Sequence, residues 1–354
     1  MSVPLTVLSV SYSLAPIGRD AAGGAEQVLS AIDRGLVRRG HRSLIVAPEG
    51  SLAAGTLVCA GHVPRVIDDA ARIDAQRAHA RAISRALADW SIDLVHMHGF
   101  DYTHYLPPPG VPVLATLHLP PTWYTPDALW PRRPDTWIHG VSTSQARALP
   151  DGPHVLPPVP NGVPIGPVAA ARRRSSVVFL GRICPEKGVH LAIDAARAAR
   201  ASLAVAGPVF PYPTHQQYFH REIVPRLDAR RRYLGPIGGA AKQRRLARAR
   251  CVLIPSQAPE TSSLVAMEAL ACGTPVVAFD AGALPDIVDH GRTGFLVRTV
   301  AEMADAIDAC GDIDRDACLQ AARDRFDGDA MVSRYVSLYR SMIPCPSRVD
   351  SSPT

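Results

Sequence analysis

The sequence has 354 residues, and at roughly 100–200 residues per domain this length predicts two domains or a single large one. Hydrophobic residues make up 47% of the chain and charged residues 20%, which excludes a disordered or fibrous protein. The longest strongly apolar stretch, residues 269–279, is interrupted by glycine, threonine and proline. Because a membrane span needs about 20 apolar residues, we expect no transmembrane helix.

The N-terminus and the cysteines both favour a cytoplasmic protein. Residues 3–9 alternate apolar and polar side chains without a basic segment, which predicts a strand instead of a signal peptide. The seven cysteines are odd in number and include no C-x-x-C pair, which is typical of buried thiols in a reducing compartment. They are Cys59, Cys184, Cys251, Cys272, Cys310, Cys318 and Cys345.

The net charge of +6 is unevenly distributed along the chain. Residues 1–165 carry 13 basic and 13 acidic side chains, residues 166–250 carry 17 and 4, and residues 251–354 carry 8 and 15. The basic block is compatible with phosphate binding, a solvated face or a nucleic-acid surface. Only two of the 38 basic residues are lysines, Lys187 and Lys242.

Strands and helices are predicted to alternate along the chain, which favours parallel sheets with helices on both faces. In the first half, the predicted strands are 5–11, 43–47, 56–60, 92–97, 112–117, 137–141 and 153–157, and the helices are 24–39, 70–89 and 142–149. In the second half, the strands are 176–181, 202–206, 231–234, 251–255, 274–279 and 294–297, and the helices are 187–200, 214–226, 238–249, 262–272, 300–311, 314–325 and 329–342. We therefore expect two α/β halves with a cleft between them.

Five prolines and three consecutive arginines lie between residues 156 and 176, a composition that is typical of an interdomain linker. The predicted domains are residues 1–165 and 166–328. A C-terminal helix at 329–343 and a polar tail at 344–354 follow them.

Three motifs follow predicted strands in positions that suit a phosphorylated ligand. Gly23 and Gly24 open a helix whose free N–H groups could face a phosphate, although a plain tight turn is an equal alternative and the G-x-G-x-x-G pattern is missing. The segment GRICPEKG at 181–188 places Arg182 and Lys187 in one loop, where two cations can clamp a diphosphate. The segment ETSSLVAME at 260–268 supplies Glu260 at the carboxyl end of a strand, a common ligand position in α/β sheets.

With these motifs in this order, the chain resembles the retaining family 4 glycosyltransferases of the GT-B fold over nearly its whole length. The matching segments are GGAE at 23–26, NGV at 161–163, GRICPEKG at 181–188, the glutamates at 260 and 268, ALACGTPVVA at 269–278 and GRTGFLV at 291–297. The resemblance implies two Rossmann-like domains facing across a cleft, with the C-terminal helix returning to the N-terminal domain. It also implies transfer of a hexose-type sugar from a nucleoside diphosphate sugar, with UDP favoured and GDP as the alternative, and with retention at the anomeric carbon.

The resemblance also implies roles for individual residues. Arg182 and Lys187 would hold the diphosphate, Glu260 the donor sugar and Glu268 the ribose. The other implied donor-site residues are Gly23, Gly24, Ser262, Ser263 and Leu264. The family usually has Pro-Phe-Gly after the first glutamate, whereas this chain has Thr-Ser-Ser at 261–263, which leaves the donor sugar undefined.

Histidines near strand ends are the candidates on the first half. His118 lies in the Thr-x-His context of the family's active-site histidine, which implies a catalytic role beside Glu260 through hydrogen bonding and not through proton abstraction. His98 is expected to line the cleft, and His96 is expected to be a hydrogen-bonded core residue.

The aromatic residues after His118 suggest where an acceptor would bind. Trp123, Tyr124 and Trp130 offer flat faces for a sugar or a planar ring, although a small loop core is an equal alternative. Because residues 1–165 carry no net charge, we expect a soluble acceptor, a glycan or a small planar molecule such as a pterin. Peripheral membrane contact through the arginines of helix 70–89 is less favoured.

Other function classes fit the sequence less well. A nucleotide-sugar epimerase or a phosphorylase-like enzyme of the same fold remains an alternative, as does a basic polyanion-binding protein. No RNA-binding signature occurs, so we expect no nucleic-acid partner. The Asp-x-Asp patterns at 312–316 and 327–329 are expected to be helix caps, so we expect neither a metal nor a cofactor.

Overall fold

The structure is a computed structural model that describes residues 3–21, 23–64, 66–166 and 176–343. The predicted tail at 344–354, Cys345 within it, and the part of the predicted linker at 167–175 lie outside the described residues.

The first half contains a six-stranded parallel sheet with the strand order β3-β2-β1-β4-β5-β6. Its strands are β1 (Thr6–Val10), β2 (Arg42–Ala47), β3 (Thr56–Cys59), β4 (Leu94–Met97), β5 (Val113–Leu117) and β6 (Thr136–Gly140). The central strands are buried along their whole length because helices cover both faces, which is why they read as nearly continuous apolar runs.

The second half contains another six-stranded parallel sheet, with the order β12-β11-β10-β7-β8-β9. Its strands are β7 (Val177–Leu180), β8 (Leu203–Ala206), β9 (Arg231–Tyr233), β10 (Val252–Ile254), β11 (Val276–Phe279) and β12 (Gly294–Val297). Both sheets have the doubly wound order, which confirms the predicted fold of two Rossmann-like units. The strand order reverses between β1 and β4 and between β7 and β10, the points where such sheets bind ligands.

The helices agree with most of the predicted ones. In the described part of the chain, the α-helices are α1 (Gly24–Arg38), α2 (Asp69–Asp89), α3 (Pro126–Leu129), α4 (Thr143–Ala146), α5 (Val189–Ala198), α6 (Pro213–Tyr218), α7 (Gly239–Arg248), α8 (Leu264–Ala271), α9 (Val300–Ala309), α10 (Arg315–Arg325) and α11 (Gly328–Met342). Within those same ranges, no helix combines the length and the apolar character that crossing a bilayer requires.

Three predicted elements differ from the structure. The predicted strand 153–157 is reduced to a bridge between Val155 and Ile138, because Pro157 and Pro158 follow its two apolar residues and lack the N–H groups that would extend a ladder. The predicted helix 214–226 is α-helical only in α6 and continues as a π turn and a 3-10 turn that contains Pro225. The predicted helix 142–149 is the single turn α4.

The C-terminal helix α11 packs against α1 of the first half. Tyr335 and Tyr339 are fully buried in a cluster that also contains Val28 and Ile32 of α1. A Cβ atom added to Gly35 of α1 would lie 2.6 Å from a methyl group of Val332, so the two helices touch closely at this glycine. The C-terminal helix therefore returns to the N-terminal half, as the fold class predicted, while the domain boundaries stay predictions.

Candidate active site

The predicted site residues lie at the carboxyl ends of strands in the two sheets. Gly23 and Gly24 follow β1, and His118 follows β5 directly. In the second half, the loop after β7 carries Arg182 and Lys187, and the loop after β10 leads from residue 255 through Glu260 to α8. The candidate residues therefore lie on loops at the carboxyl edges of the two sheets, where doubly wound sheets bind ligands.

Direct contacts join the two halves at this site. The Thr261 hydroxyl donates a hydrogen bond of 2.7 Å to the carbonyl oxygen of His118. The side chain of Leu264 lies 3.5 Å from the position that a Cβ atom on Gly24 would occupy. Residues predicted from separate motifs are therefore neighbours across the cleft.

Lys187 and Glu260 form an ion pair within the second half. The ammonium of Lys187 lies 2.6 Å from Oε1 of Glu260, and the hydroxyl of Ser256 donates to the same oxygen. The Glu260 side chain is only 9% exposed, so the cation and the hydroxyl compensate a largely desolvated carboxylate. The cation predicted to bind phosphate and the carboxylate predicted to bind sugar are thus in contact.

The loop that carries Lys187 depends on a glycine. Gly188 has a φ of +62°, and a Cβ atom there would collide with the carbonyl oxygen of Pro255. The loops after β7 and β10 therefore approach each other more closely than any other residue type would allow.

Arg182 contacts an aromatic ring and acts electrostatically on a carboxyl group of the first half. Its guanidinium carbon is 5.8 Å from the ring centroid of Phe210, a cation–π distance. Burial raises the pKa of the Glu26 carboxyl in the first turn of α1, and the charge of Arg182 opposes this shift. The charge of Arg182 therefore acts on a carboxyl group in the other half, in the helical turn that begins at Gly24.

Glu268 has a lysine partner that the sequence did not assign to it. The ammonium of Lys242 on α7 lies 2.6 Å from Oε1 of Glu268, and each side chain is 16% exposed. Burial raises the pKa of the Glu268 carboxyl, and the charge of Lys242 opposes that shift. The sequence indicated a special role for Lys242 only in that it is one of two lysines among 38 basic residues.

The two serines before α8 have different environments. Ser263 is the N-cap residue, and its hydroxyl accepts a hydrogen bond of 3.4 Å from the Ala266 N–H group. The hydroxyl of Ser262 is buried and has no hydrogen-bond partner among the described residues. Because an unsatisfied buried hydroxyl costs about 1–3 kcal/mol, Ser262 is a group that a bound ligand could satisfy.

His118 is the end of a chain of buried polar side chains. Its Nε2 lies 3.0 Å from Nδ1 of His98, whose Nε2 lies 3.2 Å from Nδ1 of His96. Burial lowers the pKa of His118 to about 3, so the imidazole is neutral at pH 7. His96 is the predicted core histidine, whereas His98 is 2% exposed and contacts His118 instead of lining an open surface.

The aromatic residues after His118 fall into two groups. Trp123 and Trp130 are each 51% exposed. Tyr124 is buried, and its hydroxyl accepts hydrogen bonds from the backbone N–H groups of His118, at 2.9 Å, and Leu119, at 3.3 Å. Tyr124 therefore supports the backbone of His118, and the expectation that its ring could stack on an acceptor was wrong.

Among the described residues, we considered two groups as metal ligands: the aspartates of the Asp-x-Asp patterns, and a cluster of one cysteine, one glutamate and one histidine. Asp314 and Asp327 cap α10 and α11, as predicted for the Asp-x-Asp patterns. Cys184, Glu186 and His215 place one ligand atom each within 4.8 Å of the others. Burial raises the pKa of the Cys184 thiol to about 11, and the charge of Arg182 acts on all three groups, so this cluster is a poor site for a cation.

Two family models match the chain in sequence. The one described as Glycosyltransferase Family 4 matches residues 22–149, and the one described as Glycosyl transferases group 1 matches residues 174–311. Together the two matches cover about three quarters of the chain.

Individual proteins match smaller shares of the chain. A D-inositol 3-phosphate glycosyltransferase from Corynebacterium efficiens is 37% identical over 129 residues, which are 34% of this chain and 30% of that protein. A phosphatidyl-myo-inositol mannosyltransferase from Mycobacterium tuberculosis is 29% identical over 216 residues, 54% of this chain and 56% of that protein. The matched regions thus span from under a third to just over half the length of these curated relatives.

A solved structure matches nearly the whole chain. Alr3699/HepE from Anabaena, solved in complex with UDP-glucose, superposes with a TM-score of 0.72 over 95% of this chain and 100% of that chain. The two sequences are 21% identical, so the likeness is one of fold.

Proposed function

This chain belongs to the family 4 glycosyltransferases, and we propose that it transfers a hexose-type sugar from a nucleoside diphosphate sugar to a hydroxyl group, with retention at the anomeric carbon. The observation that carries this proposal is the 2.6 Å contact between Lys187 and Glu260. It brings a cation suited to a diphosphate next to a carboxylate suited to sugar hydroxyls, at the reversal point of the second sheet.

The proposed reaction breaks the bond between the anomeric carbon and the diphosphate oxygen. The acceptor oxygen forms the new bond on the same face, and its proton passes to the leaving diphosphate, so no protein nucleophile is required. Negative charge grows on the diphosphate, where Arg182 and Lys187 would stabilise it. Glu260 would accept hydrogen bonds from the donor sugar, and His118 would contact the reacting hydroxyls as a neutral imidazole.

The nucleoside half of the donor would bind beside α8. Glu268, held by Lys242, would accept hydrogen bonds from the ribose hydroxyls, and Ser262 would donate its unpartnered hydroxyl to phosphate. UDP is the favoured carrier and GDP the alternative; the similar fold of the Anabaena protein solved with UDP-glucose supports UDP.

The acceptor is proposed to be soluble and to contact exposed aromatic faces. Trp123 and Trp130 are the candidates for stacking on a glycan or a small planar molecule. We also propose that the enzyme acts in the cytoplasm and needs no metal ion.

Donor screening followed by product analysis tests this function. UDP, GDP, ADP and their sugars are ranked by the rise in melting temperature, and the best donor is then incubated with soluble acceptors. We expect an α-configured product from an α-configured donor, with equal turnover in EDTA. An inverted product, a free epimerised sugar nucleotide, or activity lost in EDTA would contradict the proposal.

A pair of variants tests whether the thermal shift reports binding at the proposed phosphate site. Arg182→Ala is expected to reduce the thermal shift that the best nucleotide produces at a fixed concentration. Arg197→Ala, which removes an exposed arginine paired with Asp194 on α5, is expected to retain it.

A further inference from the structure

A row of buried polar side chains crosses the first half from β6 to the active site. We call it the histidine chain; it consists of His139, Thr116, His96, His98 and His118. Tyr339 of the C-terminal helix also contacts it, with its hydroxyl 2.7 Å from Nδ1 of His96. His139, Thr116, His96 and His98 are at most 2% exposed, so their polar atoms depend for hydrogen bonds on one another, on the hydroxyls of Tyr335 and Tyr339 and on the carbonyl oxygen of Gly140.

The positions of the hydrogen atoms in the histidine chain can be assigned from His139, the residue farthest from the active site. Nδ1 of His139 lies 2.9 Å from the carbonyl oxygen of Gly140, which can only accept, so Nδ1 carries the proton. Burial lowers the pKa of His139 to about 4, so its ring is neutral and its Nε2 is an acceptor. The hydroxyl of Thr116, 2.6 Å away, must therefore donate to that Nε2.

The same reasoning passes through Thr116 to His96. Having donated its only proton, the Thr116 oxygen accepts a hydrogen bond from Nε2 of His96 at 2.6 Å. Burial lowers the pKa of His96 well below its ordinary value, so this ring is also neutral. Its Nδ1 then carries no proton, and the hydroxyl of Tyr339 and the Nε2–H group of His98 share the single lone pair of this nitrogen.

The last two rings complete the sequence of donors and acceptors. His98 donates from Nε2 to His96, so its Nδ1 accepts from Nε2 of His118 at 3.0 Å. The opposite assignment would leave Nδ1 of His96 and Nε2 of His98, 3.2 Å apart, with no proton between them. Every donor has one acceptor in this arrangement, and the direction ends at Nδ1 of His118.

From this direction we propose that the histidine chain positions His118, holding it as the Nε2–H tautomer so that its Nδ1 accepts a hydrogen bond from a substrate hydroxyl. The inference rests on the proposed function, in which His118 contacts the reacting sugars. It names His139, Thr116, His96 and His98 as positioning residues. A second tie fixes the backbone of His118, whose carbonyl oxygen accepts from Thr261 and whose N–H donates to Tyr124.

Nitrogen NMR on the wild-type protein tests the tautomer directly. The protein is labelled with ¹⁵N-histidine, and its His118 signal is assigned by comparison with His118→Gln. We expect the Nε2–H pattern for His118 at pH 7, with Nδ1 as a bare acceptor. A charged His118, or one in the Nδ1–H form, would overturn the proposal. This measurement needs no activity, so it stands apart from a failure of the proposed function.

Two variants at Thr116 test whether the chain controls the tautomer. Thr116→Val removes the group that orients His139 and His96, and we expect His118 to become a mixture of tautomers. Turnover should fall about 10-fold, while the affinity for UDP stays unchanged. Thr116→Ser keeps the hydroxyl and should restore both the tautomer and the turnover. A pure Nε2–H signal in Thr116→Val would overturn the positioning role.

A second pair at His98 keeps the test decisive if Thr116→Val does not fold. His98→Gln can still donate to His96 and accept from His118, so we expect the Nε2–H tautomer to persist. His98→Leu removes both bonds and should give the mixed signal and the loss of turnover. If the two variants behave alike in the NMR measurement, the proposal is wrong.

Discussion

The ammonium of Lys187 and the carboxylate of Glu260 are 2.6 Å apart, although 73 residues separate them in the chain. The contact joins the loop after β7 to the loop after β10, on either side of the point where the second sheet reverses its strand order. A diphosphate that binds Lys187 must share this ammonium with Glu260 or displace it. The two side chains are therefore coupled, and replacing one changes the environment of the other.

Removal of either proposed phosphate-binding cation should weaken nucleotide binding. Loss of one charge-assisted contact costs roughly 1.5–3 kcal/mol, so Arg182→Ala and Lys187→Met should each raise the Kd for UDP about 10- to 150-fold. Lys187→Met should fall at the lower end, because wild-type Lys187 already interacts with Glu260. Isothermal titration calorimetry measures the Kd, with Arg197→Ala as the surface control. Unchanged Kd values in both site variants would remove these residues from the phosphate site.

Replacement of Glu260 by glutamine should separate turnover from binding. Glu260→Gln keeps the size of the side chain but removes the charge that binds sugar hydroxyls in the transition state. We expect kcat to fall roughly 100- to 1,000-fold. The Kd for UDP should stay the same or decrease, since Lys187 loses a competing anion. Turnover equal to that of the wild type would contradict the assigned role of Glu260.

The Lys242–Glu268 pair should control how stability depends on pH. Burial raises the pKa of Glu268 in the folded state above its pKa in the unfolded state. At a pH between these two pKa values, Glu268 is mostly protonated in the folded state and mostly ionised in the unfolded state. The free energy of unfolding therefore falls as the pH rises through this window. Lys242→Met removes the opposing charge, which raises the folded pKa further and extends the window upward.

Urea unfolding between pH 4.5 and 8 measures this effect. Lys242→Met should lose about 3–5 kcal/mol at neutral pH, because it leaves a buried carboxylate without a partner, and should recover part of it towards pH 5. The double variant with Glu268→Gln has no carboxylate to titrate and should lose the extra slope. A Lys242→Met curve parallel to that of the wild type would show that the pair is not coupled in this way.

The sequence predicted the elements whose signals are local. Buried strands such as β5 are continuous apolar runs, and the phosphate loop and the glutamates of 260–268 stand in recognisable motifs. The predicted strand 153–157 does not form, because Pro157 and Pro158 directly follow its two apolar residues, Val155 and Leu156. Proline limits pairing through its missing N–H group, and this limit decides whether a short run becomes a strand.

Partners of the site residues could not be predicted because they come from distant elements. Lys242 lies on α7, 26 residues before Glu268, and nothing in their spacing indicates that they meet. His139 reaches Thr116, and Tyr339 reaches His96, only because β6 and α11 pack around β4 and β5. Such contacts depend on the sheet order and on the return of α11, so no local sequence pattern indicates the histidine chain.

The contact between α1 and α11 should be sensitive to a single methyl group. Gly35→Ala would press a Cβ atom against Val332, and overpacking of this kind costs about 1–3 kcal/mol. The double variant with Val332→Ala should regain most of the loss, since it removes the methyl groups in the way. Thermal unfolding of both variants, with Gly18→Ala in open space as the control, measures the effect. Equal stability of Gly35→Ala and the wild type would mean that the helices do not pack this closely.

The arginines of α2 should not bind the protein to an anionic membrane. Arg72 and Arg77 lie 3.2 Å and 3.7 Å from the exposed carboxylates of Asp69 and Asp74, so their charges are largely balanced locally. We therefore expect little co-sedimentation with phosphatidylserine vesicles at physiological salt. The double variant Asp69→Asn/Asp74→Asn removes two balancing charges. At ~1 kcal/mol for each basic residue near a surface, its affinity should rise about 30-fold.

A variant with the same change of net charge at another place in the protein is the control for the vesicle-binding measurement. Asp305→Asn/Asp324→Asn changes the net charge equally on α9 and α10 of the second half, and should leave vesicle binding near the wild-type level. Strong, salt-sensitive binding of the wild type, lost when the arginines of α2 are replaced, would instead place the protein on the membrane surface. In that case the acceptor would have to be sought among lipid-linked hydroxyls, and the exposed faces of Trp123 and Trp130 would be candidates for insertion at the bilayer interface.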